Sequence, residues 1–168
     1  IPNAVSVQKT DYLNDHNGVE TYQYFDGLNR LVQERKEAEV AGTFNVRDIR
    51  YNNIALVESE SLPYVATGAG KTSPTKNAAL YTTNTYDPLQ RVTAITNSIG
   101  VTSNIYNDWK TTVTDPNGKI KKYYKDAYNN LIKVEEINGG ATYTTNYTWS
   151  LNNKLTNITD ALGNVRNF

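Results

Sequence analysis

The feature that most constrains this chain is a two-residue motif, an aromatic followed by a small polar residue, that keeps returning. It stands at Phe25-Asp26, Tyr51-Asn52, Tyr86-Asp87, Tyr106-Asn107 and Trp149-Ser150. Lys125-Asp126 keeps the polar residue without the aromatic, and Phe168 stands where a further copy would begin. From 86 onward the steps are 20, 19, 24 and 19 residues. Other columns keep the same phase. Six residues beyond each first position stand Leu31, Val57, Val92, Thr112, Leu131 and Leu155. Nine beyond it stand Ile95, Val134 and Ile158, with Glu34 and Asp115 breaking the column. A glycine follows near the fourteenth step at Gly100, Gly118, Gly139 and Gly163. Columns in phase over consecutive units mark a repeat protein, each unit one supersecondary element packed on its neighbours.

The unit reads as a β-hairpin. Tyr86-Asp87-Pro88-Leu89-Gln90-Arg91 places proline at the second position of a tight turn, where its fixed φ suits the geometry. Arg91 to Asn97 supplies a strand, Asn97-Ser98-Ile99-Gly100 a second turn, and Val101 to Tyr106 the return strand. Successive units then make a meander. Asn17-Gly18, Asn117-Gly118 and Asn138-Gly139 are hairpin-turn dipeptides, favoured where both turn positions need positive φ. The chain holds 22 Asn, 21 Thr and 13 Tyr, a bias toward pleated strands joined by frequent turns. Arg30 to Ala41 carries helix-friendly Glu, Lys, Arg and Ala, but its place after Phe25-Asp26 predicts a strand. Residues 63–79, rich in Pro, Gly, Ser, Thr and Lys, predict an inserted loop within a single repeat region spanning 1–168.

Composition narrows the function. With 17 basic and 17 acidic residues there is no electrostatic footprint for nucleic acid or an anionic membrane. No apolar run approaches the ~20 residues of a membrane-spanning helix. Without cysteine there is no disulfide, thiolate metal site or thiol nucleophile. The single histidine, His16, sits in Asn14-Asp15-His16-Asn17-Gly18, a turn tip, and cannot supply a multi-histidine metal site. A chain beginning Ile1-Pro2 and lacking methionine reads as a stretch of a longer polypeptide.

Candidate chemistry is sparse. Gly68-Ala69-Gly70-Lys71-Thr72-Ser73 invites a phosphate-loop reading, but Val65 stands where the first glycine belongs, and no strand and helix flank it. Glu135 and Glu136 are adjacent on a strand and point to opposite faces, so they cannot act as a facing pair; Asp108 and Asp115 are candidates by count only. Trp109, Tyr123, Tyr124, Tyr143, Tyr147 and Trp149 suit either sugar stacking or packing between strands, with packing the favoured role. Asn146-Tyr147-Thr148 and Asn157-Ile158-Thr159 match glycosylation sequons in a chain where such matches arise by composition. No catalytic, cofactor-binding or metal-ligating set is assigned.

Tyr22-Gln23-Tyr24-Phe25-Asp26-Gly27-Leu28-Asn29-Arg30-Leu31 resembles the tyrosine-aspartate repeat of the RHS/YD-repeat proteins. So do Thr85-Tyr86-Asp87-Pro88-Leu89-Gln90-Arg91-Val92 and, more weakly, Tyr147-Thr148-Trp149-Ser150. Asp160-Ala161-Leu162-Gly163-Asn164 resembles the family's inter-repeat turn, and Ser61-Leu62-Pro63-Tyr64 is similar to a segment of RHS proteins related to toxin-complex and virulence-plasmid proteins. Where the family usually has glycine before the Arg or Lys, this chain has Asn29, Gln90, Asn129 and Asn153. Asparagine tolerates left-handed φ; Gln90 is harder to place. The family's autoproteolysis motif does not appear: Asp87-Pro88 and Asp115-Pro116 share its dipeptide without its context.

The resemblance implies a long β-sheet coiled into a hollow shell that encloses a toxin or other polypeptide, secreted or displayed at a cell surface. The expectation is therefore an all-β protein of antiparallel hairpin repeats in a curved, twisted sheet, a non-enzymatic wall segment without cofactors. Its partners would be neighbouring repeats and an encapsulated polypeptide. A carbohydrate-binding cell-surface module is the alternative. Open sheet edges also predict a homodimer.

Overall fold

The computed structural model describes residues 5–10, by their main chain, and 19–168. The His16 turn tip and Asn17-Gly18 lie outside the described residues. The chain divides into two compact units, Ile1–Thr85 and Tyr86–Phe168. Both are built from antiparallel hairpins, as the repeat pattern predicts, and no α-helix occurs among the described residues.

The first unit contains β1 (Val5–Thr10), β2 (Val19–Phe25), β3 (Leu31–Glu37), β4 (Thr43–Tyr51), β5 (Val57–Ser61), β6 (Tyr64–Thr67) and β7 (Tyr81–Tyr86). Strand β3 fills most of the stretch from Arg30 to Ala41, so position in the repeat overrides helix propensity there. The ladder runs β1-β2-β3-β4-β5-β7. Nine-residue β4 divides its outer edge: Ile49–Tyr51 pairs with β5, while Thr43–Val46 pairs with β6. The segment from 63 to 79 thus contributes β6, an irregular stretch from 68 to 77, and a 3-10 turn at Ala78–Leu80 begun by Asn77. Register places Tyr24, Gln33 and Asp48 in one line across the sheet, and Tyr22, Arg35 and Val46 in the next. Alternation puts all six on one face. The core lies there: Tyr24, Phe44, Val46, Gln33, Arg35 and Asp48 are buried.

The second unit is a meander of β8 (Val92–Asn97), β9 (Gly100–Asn107), β10 (Lys110–Thr114), β11 (Ile120–Lys125), β12 (Leu131–Asn138), β13 (Ala141–Trp149), β14 (Leu155–Thr159) and β15 (Val165–Asn167). Each strand pairs with the next. None of residues 86–168 is fully buried. This is one layer, half-covered on both faces.

Two turn expectations need correction. At Asn117-Gly118 only Gly118 has positive φ, because the Asp115 side chain builds a longer turn in which one residue is left-handed. At Asn138-Gly139 the two positive-φ residues are Gly139 and Gly140, and Asn138 instead pairs with Ala141. A second glycine without Cβ lets the turn move one residue along.

Candidate functional site

Seven turns among the described residues share one architecture, headed by Asp26, Asn52, Asp87, Asp115, Asp126, Ser150 and Asp160. In each, the head's carbonyl accepts the N–H three residues on, and its N–H donates to the carbonyl four residues on. The head's side chain fills the turn. Asp26 Oδ1, for instance, accepts the N–H groups of Leu28 and Arg30 at 2.9 and 3.0 Å, and the other Asp and Asn heads repeat this. The fourth residue is left-handed every time: Asn29, Ala55, Gln90, Gly118, Asn129, Asn153 and Gly163 have φ of 59, 65, 64, 76, 67, 58 and 83°. Gln90 therefore takes the glycine conformation despite its Cβ, as Ala55 does. Asp115, which breaks a column in sequence, and Asp160, an inter-repeat turn by resemblance, head the same turn as Asp26.

Some turns are clamped further. Arg30 holds Asp26 Oδ2 through Nε and Nη2 at 2.8 and 2.7 Å, and Arg91 holds Asp87 Oδ2 at 2.7 Å through both. The Arg30 side chain, with its own N–H, keeps the Asp26 carboxyl below its ordinary range. At Asp87, partial burial pushes the carboxyl up, but the Arg91 N–H and guanidinium outweigh it and the net direction is down.

The turn is also a junction between units. Arg30 lies over the Tyr51 ring at 4.5 Å, and Arg91 over the Tyr106 ring at 4.3 Å. The Tyr51 hydroxyl donates to the Leu31 carbonyl at 3.0 Å, Tyr106 to Val92 at 2.9 Å, and Trp149 Nε1 to Leu131 at 2.9 Å. The aromatic that opens one unit thus bonds the main chain of an earlier unit, at the column six residues beyond its first position. The repeat phase seen in sequence is this stitch.

A different arrangement occupies the buried face of the first unit. Gln33 Oε1 accepts from Arg35 Nε and the Thr72 N–H, each at 3.1 Å, and its Nε2 donates to Asp48 Oδ1 at 2.7 Å and the Thr72 carbonyl at 3.2 Å. That satisfies every hydrogen-bonding position of a primary amide. Arg35 also donates to the carbonyls of Thr67 and Gly68 and to Thr72 Oγ1. Asp48 Oδ2 accepts from the Tyr64 hydroxyl at 2.8 Å, the Thr75 N–H at 2.9 Å and the Tyr81 hydroxyl at 3.4 Å. Burial, helped by the hydrogen bond to Asp48, pushes the Tyr64 phenol up to about 12, so it remains a donor across the working pH range. Arg35 and Asp48 are both 0% exposed, and Gln33 is 1% exposed. Sequence reasoning passed over all three. Their only signal was phase: they alternate on the face that carries Tyr24 and Val46.

The residues singled out by sequence fall into less promising places. Glu135 meets Lys133 and Tyr124, both at 2.8 Å, which together hold its carboxyl below the ordinary range, while Glu136 faces Lys121 at 2.5 Å on the other side of the sheet. Asp108 and Asp115 bracket β10 at opposite ends, roughly 20 Å apart by strand rise. Trp109 and Tyr143 are exposed at 59% and 51%, Tyr123, Tyr124 and Tyr147 are half-buried, and Trp149 is stitched to Leu131. The stretch from Gly68 to Ser73 lies over the Gln33-Arg35 pair and is followed by a three-residue 3-10 turn, not by an α-helix. Among the described residues no group of three or more His, Cys, Asp and Glu could hold a metal ion. No helix there is long and apolar enough to cross a membrane.

A repetitive antiparallel sheet, headed by Asx turns and stitched by tyrosines, defines the class. No family model and no curated protein matches the chain. Solved structures do. A chain of the Tc holotoxin pore of Photorhabdus luminescens superposes with TM-score 0.72 at 16% identity, and one of TcdB2-TccC3 with TM-score 0.77 at 15% identity. Each match covers 95% of this chain and 10% of the other, so this chain spans about a tenth of the length of those it matches. The likeness bears out the RHS-like repeat fold.

Proposed function

We propose that this chain is a structural wall segment of an RHS-type shell that encloses or presents another polypeptide, such as a toxin, in a secreted or cell-surface protein. The observation that carries the reading is the single-layer sheet of residues 86–168. It has no fully buried residue, yet it is stitched from unit to unit at Tyr106 and Trp149. A layer half-covered on both faces suits a wall with an inside and an outside, and suits poorly a domain organised around its own core. Similarity to chains of Tc toxin structures supports the same reading.

The turn tips fit it as well. Leu28, Leu89, Tyr128 and Leu162, each two residues beyond a turn head, are exposed at 73, 72, 82 and 88%. Apolar knobs repeated at the turn tips suit contact with neighbouring repeats or a further layer. Limited proteolysis of a longer parent chain, read by mass spectrometry, tests the proposal. An enclosed polypeptide should survive until the repeats are breached. Digestion of that polypeptide while the repeats stay whole would overturn the enclosing role and turn attention to glycan binding on the outer face.

A further inference from the structure

The stretch from 68 to 75 is held in an unusual way for a loop. Almost every bond to it is to main chain: the carbonyls of Gly68 and Ala69, both main-chain groups of Thr72, and both of Thr75. The donors and acceptors are side chains of the sheet beneath: Tyr24, Gln33, Arg35, Asp48 and Tyr81. Contacts fall at 68, 69, 72 and 75, the two N–H groups that the sheet binds, those of Thr72 and Thr75, are three residues apart, and Pro74 lies between them. The Thr72 hydroxyl accepts from Arg35 at 2.7 Å. Ser73 and Lys76 are exposed.

We propose that the face of β2, β3, β4 and β7 under this strap is a recognition site for extended polypeptide main chain, filled in the resting protein by residues 68–75. Another extended segment can take the strap's place if it offers free N–H groups three residues apart. The Gln33 amide carries the recognition. It pairs with one peptide unit's N–H and C=O together, as an adjacent strand would, while Arg35 and Asp48 fix its orientation from either side. Because Gln33 is bonded to Arg35 on one side and Asp48 on the other, its amide is oriented before a new main chain arrives once the strap has left. A tethered strap competes at an effective concentration on the order of millimolar, so the site is closed to dilute peptides until the strap is unhooked. The inference does not depend on whether the repeats form a shell.

The test uses the double variant Thr72→Pro with Thr75→Pro, which removes both strap N–H groups and leaves Gln33, Arg35 and Asp48 in place. The probe is a fluorescein-labelled synthetic peptide of residues 67–77, followed by polarisation. It should bind the double variant at least tenfold more tightly than the unaltered chain. N-methylation of the peptide at positions 72 and 75 should abolish at least tenfold of that affinity, whereas alanine at positions 73 and 76 should change it little. Equal binding by the N-methylated peptide, or no difference between the two proteins, overturns the proposal. If circular dichroism shows the double variant unfolded, amide hydrogen exchange at Thr72 and Thr75 of the unaltered chain decides. Faster exchange with millimolar peptide supports exchange of the strap, and an unchanged rate overturns it.

Discussion

The two units use the same turn and the same stitch, yet they hold themselves together differently. The first buries a polar triad, Gln33, Arg35 and Asp48, under a strap from a distant part of the chain. The second buries nothing completely and relies on hairpin ladders, Asx turns and half-exposed pairs such as Lys133 with Glu135. One repeat chemistry therefore tolerates both a covered and an uncovered face. What differs is the stake in each polar group. In the first unit an unpaired partner would be stranded away from water, while in the second, water can replace a lost contact.

Arg35→Ala should break this contrast most sharply. Gln33 and the Thr67, Gly68 and Thr72 groups all lose a donor, at about 1–3 kcal/mol for each buried group left unsatisfied, so a loss of roughly 3 kcal/mol or more is expected. Lys133→Ala, removing a half-exposed pair of the second unit, should cost less than about 1 kcal/mol. Urea unfolding of both variants checks the pair, and equal costs would erase the distinction between the units.

Next comes Gly100→Ala, in the second unit. Gly100 has φ +147°, and an added Cβ would meet Pro116 Cβ at 2.9 Å. A loss of about 1–3 kcal/mol is expected from strain and overpacking, and Pro116→Gly in the same chain should recover part of it. No recovery would mean that φ alone is responsible.

The stitch should matter about equally in both units. Tyr51→Phe and Tyr106→Phe each remove one hydroxyl-to-carbonyl bond and should each cost about 1 kcal/mol in thermal unfolding. A negligible loss at Tyr106 with a large one at Tyr51 would show that the stitch works only over a covered face.

Smaller still, and opposite in sign, are Ala55→Gly and Gln90→Gly. Both residues are left-handed with a Cβ, and glycine should relieve up to about 1 kcal/mol, net of its greater unfolded-state freedom.

Acid should act through the turn heads. Asp26, Asp87, Asp126 and Asp160 are all lowered from the ordinary carboxylate value. A depressed folded value means the stabilisation is complete above the unfolded value, near pH 4, and disappears as pH falls through the folded one. The turns headed by Asn52 and Ser150 do not titrate. Carbon-detected NMR titration should place the four aspartate midpoints below about 3.9, and midpoints at or above that value would remove the acid sensitivity.

Much of this protein was legible in its sequence because the relevant physics is local. A head residue that caps its own turn, a left-handed residue three positions on and a strand of alternating side chains need only a few consecutive residues. That is why the hairpins follow the repeat phase and why Arg30 to Ala41 reads as a strand despite its helix formers. The glycine column was misleading, since Gly100, Gly118 and Gly139 occupy three different conformational roles that share only positive φ. Equal spacing in sequence did not mean one structural position.

Sequence alone determined the repeat, the strand order within each hairpin and the aromatic column that proves to be the stitch, because each is set by neighbours along the chain. Only the tertiary structure decided that Gln33, Arg35 and Asp48 are buried. Gln33, Glu34, Arg35, Lys36 and Glu37 put polar side chains on both faces of their strand, so hydropathy marks neither face as interior. Burial came from a segment bonded to Gln33, Arg35 and Asp48 across 27 to 39 residues of chain, which lies over one face. The cost of burying those groups is offset by hydrogen bonds to its main chain, which no local pattern records.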